Sequence, residues 1–546
     1  MAPGSGSIGI DTPLARKYHL FKRLLGHNRD ALGAMADLEQ AYYGGRVPGL
    51  NALRAKYDAL ATSARELVSD LQELSEGGYA GLEDVLQAIG GEVAPLLRTA
   101  DATSGDLVVP LDSVTAEAAG SVGGKALHLA TMPRLTGVSI PRGFVVTTSG
   151  FRRLVRQGGL EEAIEDALLG VTLDAPASAE AASQAIRPLI LRATIPEEVA
   201  HRIFLAFDKL GGGNGHATQV AVRSSAVGED SGASFAGQYA TVLGVTRDAL
   251  LDAYRSVLAS KYSPEAILYR LRFGLDDCDT PMAVLAMEMI DARTSGVVYT
   301  RDPVGGDPNL MRIAATWGLG ERLVSGEGGH DVFQLDRRTG DLRRRNVQEK
   351  AQRLVLADNG GVCLAATPSD DARQACVDDD TLRSIGRLGL ALEEHFGSPQ
   401  DVEWSLDRRG ALHVLQSRPL NLTSQAPPPV AGPKDPALHP ILLQGVTTAS
   451  FGTASGKVVV VHGRPPADLP DEAILVVKAA SPDYAVLIGK VRGIVAETGS
   501  ATSHLACVAR EFGVPALFVA GALKIAYDIM LFATFRAISP PEERGR

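Results

Sequence analysis

Six prolines fall within the eighteen residues from Thr423 to Pro440 (Thr-Ser-Gln-Ala-Pro-Pro-Pro-Val-Ala-Gly-Pro-Lys-Asp-Pro-Ala-Leu-His-Pro). Each removes a backbone donor and fixes φ, so neither a helix interior nor a central strand can run through this stretch. It reads as a semi-rigid, extended linker. Whatever the chain folds into, a large part before this segment and a small part after it must fold separately.

The 546 residues leave room for two to four domains, with enough apolar content to bury real cores. A net charge of −10 argues against nucleic acid or an anionic membrane as the main partner. Cys278, Cys363, Cys376 and Cys507 are scattered without metal-ligand spacing, which points to a reducing compartment and no disulfide framework. The N-terminus has no charged-then-apolar signal pattern. The late apolar run Ile525–Ile538 contains Asp528 and Arg536 and is too short to span a bilayer. The expectation is a soluble, cytoplasmic protein of mixed α/β and α+β multidomain class. Whether like chains assemble stays open.

Four regions follow from periodicity and punctuation. Residues 1–105 read as a helical prefix. Leu20, Leu24 and Leu25 recur at helical spacing, as do Leu53, Tyr57, Leu60, Ala64, Leu67 and Leu71. Breaks come at Tyr43-Gly-Gly-Arg-Val-Pro-Gly49 and Gly77-Gly78. With no chemistry visible, its expected role is docking or assembly. Residues 106–422 alternate strands and helices with glycines at their junctions, as in a nucleotide-binding domain. Residues 423–442 are the linker, and 443–546 form a small α/β domain with strands at Lys457–Val461, Ala473–Val477 and Gly493–Ala496. A helix is expected after Ser481-Pro482-Asp483.

Three segments of the large region have residue types suited to phosphate chemistry. In Gly120-Ser-Val-Gly-Gly-Lys125 a glycine turn lets backbone N–H groups approach phosphate while Lys125 supplies a point charge. It is not a Walker loop, because Ala119 replaces the first glycine and Ala126 follows the lysine. The strand Val220-Ala-Val-Arg-Ser-Ser-Ala226 delivers Arg223 and two hydroxyls towards Glu229, Asp230 and Ser234–Gln238. It suits a polyphosphate clamp, or an ion pair of Arg223 with Glu229 or Asp230. Asp401-Val-Glu-Trp-Ser-Leu406 and Ala411-Leu-His-Val-Leu-Gln-Ser-Arg418 flank Asp407-Arg-Arg-Gly410, a hairpin by its turn chemistry. Alternation puts Asp401 with Glu403, and Gln416 with Arg418, on shared faces. Oxygens projecting together suit Mg²⁺ beside nucleotide phosphates, and Arg418 could balance charge on phosphorus. A solvated face with a cross-strand ion pair is the other reading.

In the small region Glu497-Thr-Gly-Ser-Ala-Thr-Ser-His-Leu-Ala-Cys-Val-Ala-Arg-Glu-Phe-Gly-Val-Pro515 passes from a strand to an amphipathic helix. Thr502 or Ser503 can cap it, Leu505, Val508, Ala509 and Phe512 give it an apolar face, and Gly513 with Pro515 ends it. An imidazole at that first turn feels the positive end of the helix dipole, which keeps it neutral and then favours an anionic adduct. His504 therefore suits phosphoryl acceptance, or else is a polar surface residue or cap. Cys507, one turn on, reads as a small buried filler.

The string Thr502-Ser-His504 followed by Ala509-Arg-Glu-Phe-Gly-Val-Pro-Ala516 resembles the phosphohistidine motif of phosphoenolpyruvate-utilising enzymes, with Gly499-Ser500-Ala501 where a Gly-Gly pair often stands. The large region resembles the ATP-grasp-type nucleotide domain of phosphoenolpyruvate synthase and pyruvate phosphate dikinase. Ser295-Gly-Val-Val-Tyr-Thr-Arg-Asp-Pro303 and Trp317-Gly-Leu-Gly-Glu321 add to the match. The resemblance covers roughly residues 114–519. It implies ATP binding at Lys125, Arg223, Glu288, Arg301, Asp302, Glu321, Glu403, Gln416 and Arg418. Glu403 and Gln416 would hold Mg²⁺, Arg223 and Arg418 would act on phosphate, and Glu288 would sit near adenine on the strand Val284–Ile290. His504 would take the β-phosphoryl group of ATP and pass it to pyruvate, swinging on the linker. Thr502 matches a threonine that regulatory kinases modify.

Relatives that make phosphoenolpyruvate have a barrel domain after the phosphohistidine domain, whereas this sequence stops about 40 residues past His504. The tail from Gly521 does not resemble the closing strands of the family and reads like a truncated or altered reading frame. The pyruvate site is thus expected on a missing domain or another chain. The alternatives are a half-reaction-only or non-catalytic nucleotide-binding remnant, and an antibiotic phosphotransferase of the rifampin type. The latter inserts a substrate domain where this chain has only its linker. A sugar-transport phosphocarrier lacks the nucleotide segments.

Overall fold

A computed structural model describes residues 13–43, 50–79, 81–96, 105–132, 138–173, 175–211, 218–227, 239–278, 280–303, 307–420, 447–461, 463, 469–470, 472–481, 484, 487–499 and 503–518. Glu229, Asp230, the Ser234–Gln238 loop, the proline-rich linker, Thr502 and the tail from Gly521 lie outside these residues, as do 482, 483, 485 and 486 at the start of the helix expected after Ser481. Two compact units emerge, Met1–Ser104 with Arg270–Pro281, and Gly105–Tyr269 with Met282–Arg546.

The first unit holds three helices, α1 (Pro13–Tyr43), α2 (Leu50–Leu74) and α3 (Gly81–Leu96). α1 and α2 run antiparallel. Arg16 meets Glu73 at 3.0 Å, Arg23 pairs with Asp70, and His27 meets Glu66 at 2.9 Å, so partners descend α2 as α1 ascends. Leu20 and Val68 are buried, and so is Asp70, whose charge Arg23 and His27 share.

In the second unit the first sheet is antiparallel. Its order is β1 (Val108–Pro110), β2 (Gly143–Val146), β5 (Met282–Glu288), β3 (Val220–Ala226) and β4 (Thr241–Val245). The central strand Met-Ala-Val-Leu-Ala-Met-Glu is buried along nearly its whole length, as a two-sided apolar run requires. The second sheet is also antiparallel, in the order β13 (Leu412–Pro419), β12 (Gln400–Asp407), β6 (Ala292–Tyr299), β7 (Leu310–Trp317), β8 (Asp331–Asp336) and β9 (Leu342–Asn346). A small hairpin, β10 (Gln352–Leu356) with β11 (Val362–Ala366), stands beside it. One core joins the two large sheets: Val145, Leu285 and Met287 from the first, Val298, Ile313, Val402, Trp404 and Val414 from the second. Helix α4 (Gly124–Thr131) adds Ala126, Leu129 and Ala130, and helix α5 (Asp379–Phe396) adds Leu382, Ile385 and Leu392. Asp378 caps α5 by accepting from Thr381 N at 2.8 Å.

The third sheet lies after the linker, in the order β14 (Thr447–Ser450), β18 (Ala516–Phe518), β17 (Val491–Thr498), β16 (Ala473–Ala479) and β15 (Lys457–Val461). It is parallel except at β14. Helix α6 (His504–Glu511) covers one face, and the core there shares no residue with the larger one. Mixed helix and sheet in several modules is the class the sequence indicated.

Trp404 is fully buried, and its ring occupies the space a side chain at 296 would need. A Cβ there would lie 2.1 Å from Ala314 O and 2.4 Å from Trp404 Cζ2. Gly296→Ala is therefore expected to cost about 3 kcal/mol or more, read as a fall in the urea midpoint. Acid will act at the β8–β9 turn. The Arg343 guanidinium, with the Thr339 and Arg338 N–H groups, holds the Asp336 carboxyl at about 2, against an ordinary 3.8. A depressed folded value stabilises above the ordinary value and is lost as pH falls from there towards 2. Asp336→Asn should flatten that part of the acid-unfolding curve.

Candidate functional site

Lys125, Arg223, Glu403, Gln416 and Arg418 converge where α4, β3 and the β12–β13 hairpin meet. The convergence starts at Gly123, whose φ of +76° suits glycine and whose Cβ would lie 2.0 Å from Ser225 O. The turn can thus press onto β3. Ser225 Oγ donates to Val122 O at 2.7 Å and accepts from Ala126 N at 3.1 Å. This hydroxyl, expected at phosphate, instead stitches the turn to the strand. Its neighbour Ser224 accepts from Lys125 Nζ at 3.2 Å.

Arg223 is the hub. Its Nη2 donates to Gln416 Oε1 at 2.6 Å and lies 3.6 Å from Glu403 Oε2, while Nη1 reaches Leu415 O at 3.4 Å. The hairpin register explains the meeting. Asp401 stands opposite Arg418 and Glu403 opposite Gln416, so all four share one face, and a bulge at Leu415 then sets Val414 opposite Trp404 on the core side. Asp407 Oδ1 accepts from Arg409 N and Ala411 N at 2.8 Å each, fixing the turn. The cross-strand ion pair foreseen as the plain reading is present, with Arg418 Nε and Nη2 at 2.8 and 2.6 Å from Asp401 Oδ2, but the face is not solvated. Asp401 is 5 % and Gln416 6 % exposed. Burial pushes the Asp401 carboxyl up while the Arg418 charge pulls it back. Burial also opposes the Arg418 charge, yet Asp401, Cys507 and Tyr299 outweigh it and hold the guanidinium well above its ordinary value.

The remaining expected residues sit apart. Glu288 pairs with Arg142 at 2.7 Å. In the β3–β5 register it faces Val220, three residues or roughly 10 Å from the position opposite Arg223. Asp302 is taken up by Arg312 at 2.8 Å and Gln334 at 2.6 Å, a buried structural knot. Arg301 turns to Glu393, 3.8 Å away, which Arg337 also holds. Glu321 opens a single helical turn, Glu321–Val324. Partial burial, with Glu327 nearby, raises its carboxyl above the usual range.

His504 is the first residue of α6, and the cap is Ser503, whose Oγ accepts from Ala506 N at 3.4 Å. Gly513, at φ +63°, follows the helix as expected. Cys507 is not the buried filler its spacing suggested. Half-buried, it accepts from Arg510 Nη2 at 3.3 Å and from Arg418 Nη2 at 3.6 Å. Arg510 also donates to Ala449 O at 2.8 Å, tying α6 to β14. Phe512 meets Tyr269 edge-on, ring centroids 6.4 Å apart. The helix of His504 thus lies against the hairpin that carries Arg418. Sequence spacing gave no signal for the Arg418–Cys507 and Arg510–Ala449 contacts, since these partners lie on different elements.

Residues 119–434 match the model for the pyruvate phosphate dikinase AMP/ATP-binding domain, and residues 469–531 the PEP-utilising enzyme mobile domain. The chain belongs to the phosphoenolpyruvate synthase/pyruvate phosphate dikinase family. Among similar proteins, a probable phosphoenolpyruvate synthase of Archaeoglobus fulgidus is 33 % identical over 427 residues, covering 78 % of this chain and 54 % of that protein. Another, of Methanocaldococcus jannaschii, is 30 % identical over 407 residues, covering 73 % and 34 %. A rifampicin phosphotransferase of Streptomyces is 36 % identical over 328 residues, covering 59 % and 37 %. The chain therefore spans between about a third and about half the length of these relatives. Among the described residues no helix is long and apolar enough to cross a membrane.

Removing Asp401 should strand a buried guanidinium. Asp401→Ala is expected to cost about 3–5 kcal/mol in chemical denaturation, and Asp401→Asn, which keeps an acceptor, clearly less.

Proposed function

We propose that this chain is an ATP-dependent phosphotransferase of the dikinase type, with His504 as phosphoryl acceptor. Family membership supports the chemistry, and one observation carries the assignment: Arg418, on the nucleotide module, touches Cys507, one turn along the helix that His504 begins. This contact sets the helix that His504 begins against the hairpin of the Arg223–Arg418 cluster. In the proposed reaction a ring nitrogen of His504 attacks the β-phosphorus of ATP, the bond to the AMP oxygen breaks, and AMP leaves. The γ-phosphoryl passes to water or phosphate, and the phosphoryl left on His504 moves to the enol oxygen of pyruvate at a separate site. Lys125, Arg223 and Arg418 would bind and orient the phosphates. In this reading residues 106–422 form the nucleotide domain, 423–442 the hinge and 443–546 the carrier.

The donor set fits Mg²⁺. Glu403 and Gln416 stand directly opposite on the hairpin, and a cation that keeps phosphate and water ligands needs only one or two protein oxygens. Among the described residues no cluster of three or more His, Cys, Asp or Glu forms a cage. When bound, the ion would neutralise charge on the phosphates. Lys125, Arg223 and Arg418 do the remaining positioning. Glu288 and Asp302, engaged elsewhere, support the fold around the nucleotide. A phosphate on Thr502 would repel the phosphates of ATP. An antibiotic-phosphotransferase reading is disfavoured, because only residues 435–468 separate the two matched ranges.

ATP labelled at the β position tests this reading. Acid-labile label should appear on the wild-type chain and be absent from His504→Ala. Arg223→Ala should slow labelling about 10²-fold or more, as loss of a phosphate-binding charge does. An unlabelled wild-type chain that still binds ATP would instead support a non-catalytic nucleotide-binding remnant.

A further inference from the structure

The first unit carries an apolar surface that its own helices leave uncovered. Eleven of the nineteen large apolar residues exposed among the described residues belong to it, each 37–65 % exposed. On α1 they are Tyr18, Phe21, Leu25, Leu32 and Met35. Their spacing of 3, 4, 7 and 3 is that of a heptad seam, with Asn28 at the one polar position. The seam is distinct from the α2-facing stripe of Leu20, Leu24, His27 and Ala31, lying roughly 110° around the helix. α3 repeats the feature with Leu82, Val85 and Ile89 at spacings of 3 and 4.

We propose that this unit joins two copies of the chain, α1 of each copy packing its Tyr18–Met35 seam against α3 of the other. Charge argues for a second copy in this arrangement. From Arg16 to Met35, α1 carries Arg16, Lys17, Lys22, Arg23 and Arg29 against Asp30 alone. α3 carries Glu83, Asp84 and Glu92 and no Lys or Arg. Arg16, Lys17 and Arg23 already meet Glu73, Glu76 and Asp70, and Arg29 meets Asp30, so the contrast rests on Lys22 against the acidic α3. Acidic α3 on acidic α3 would repel, whereas α3 on the Lys22 side of α1 attracts. A two-fold axis that sets α1 on the partner's α3 sets α3 on the partner's α1 at the same time, so both seams close together. Size agrees: with roughly 100 Å² visible per side chain, the eight seam residues supply about 800 Å² per copy, the ~800 Å² of a stable interface. Asn28 within the seam would fix register.

Sedimentation velocity of the full chain from roughly 1 to roughly 100 μM tests the proposal. A dimer is expected, loosened by salt. Leu25→Gln with Leu32→Gln, exposed positions given a good helix former, should weaken it about a hundredfold, roughly tenfold per leucine, with helix content unchanged by circular dichroism. Two charge-reversed chains refine the test. Lys22→Glu with Arg29→Glu should be monomeric, as should Glu83→Lys with Glu92→Lys, and mixing the two should restore the dimer. A chain monomeric throughout, a dimer indifferent to the leucine pair, or a mixture that stays monomeric would overturn the proposal. So would a zero-length cross-link formed within one chain from Lys22 to Glu83 or Glu92.

Discussion

The arrangement depends on a guanidinium held out of water. Arg418 has lost most of its hydration, and only Asp401, taking both its Nε and Nη2, makes that burial tolerable. The pair fixes the hairpin face and sets Gln416 and Glu403 beside Arg223. It also leaves the outer edge of Arg418 for the thiol of Cys507. A lysine could not do the same, since the planar fork binds a carboxylate on one side and still presents an N–H on the other.

Much of this was legible in the chain, and the rest was not, for a definite reason. The hairpin followed from alternation and a turn sequence, and its four polar residues do share a face. Local rules narrowed the cap to Thr502 or Ser503, of which Ser503 caps, and placed the glycine after α6. What failed to show were pairings set by tertiary register. Ser225 looked like a phosphate ligand until Gly123 was found against its carbonyl, about a hundred residues back in the chain. Asp302 and Glu288 sit in segments that match the family, yet Arg312 and Arg142 occupy them. The fully buried Lys350–Asp331 pair, at 2.6 Å, gave no periodic signal, because a charge paired inside a sheet interrupts the pattern that would announce a core strand.

The two modules of the larger unit each have their own apolar core, so parting them would leave both cores closed. The described contacts between them include a sulfur between two guanidiniums and one edge-on ring pair. Such contacts are directional but individually weak. A carrier in the proposed reaction must be held long enough to react and released without a large barrier, and directional polar contacts such as that of Arg418 with Cys507 suit both needs.

The same economy governs charge at the site. Lys125, Arg223 and Arg418 all have partners already: a hydroxyl, an amide with a carboxylate, and a buried carboxylate. A polyphosphate arriving here would not meet bare cations stripped of solvent. It would exchange with acceptors that have kept those cations oriented, so the ordering cost falls on folding and not on binding. Gln416 is the neutral member of the set. Its amide can release Arg223 without leaving an unpaired buried charge, and that makes it the cheapest of these acceptors to displace.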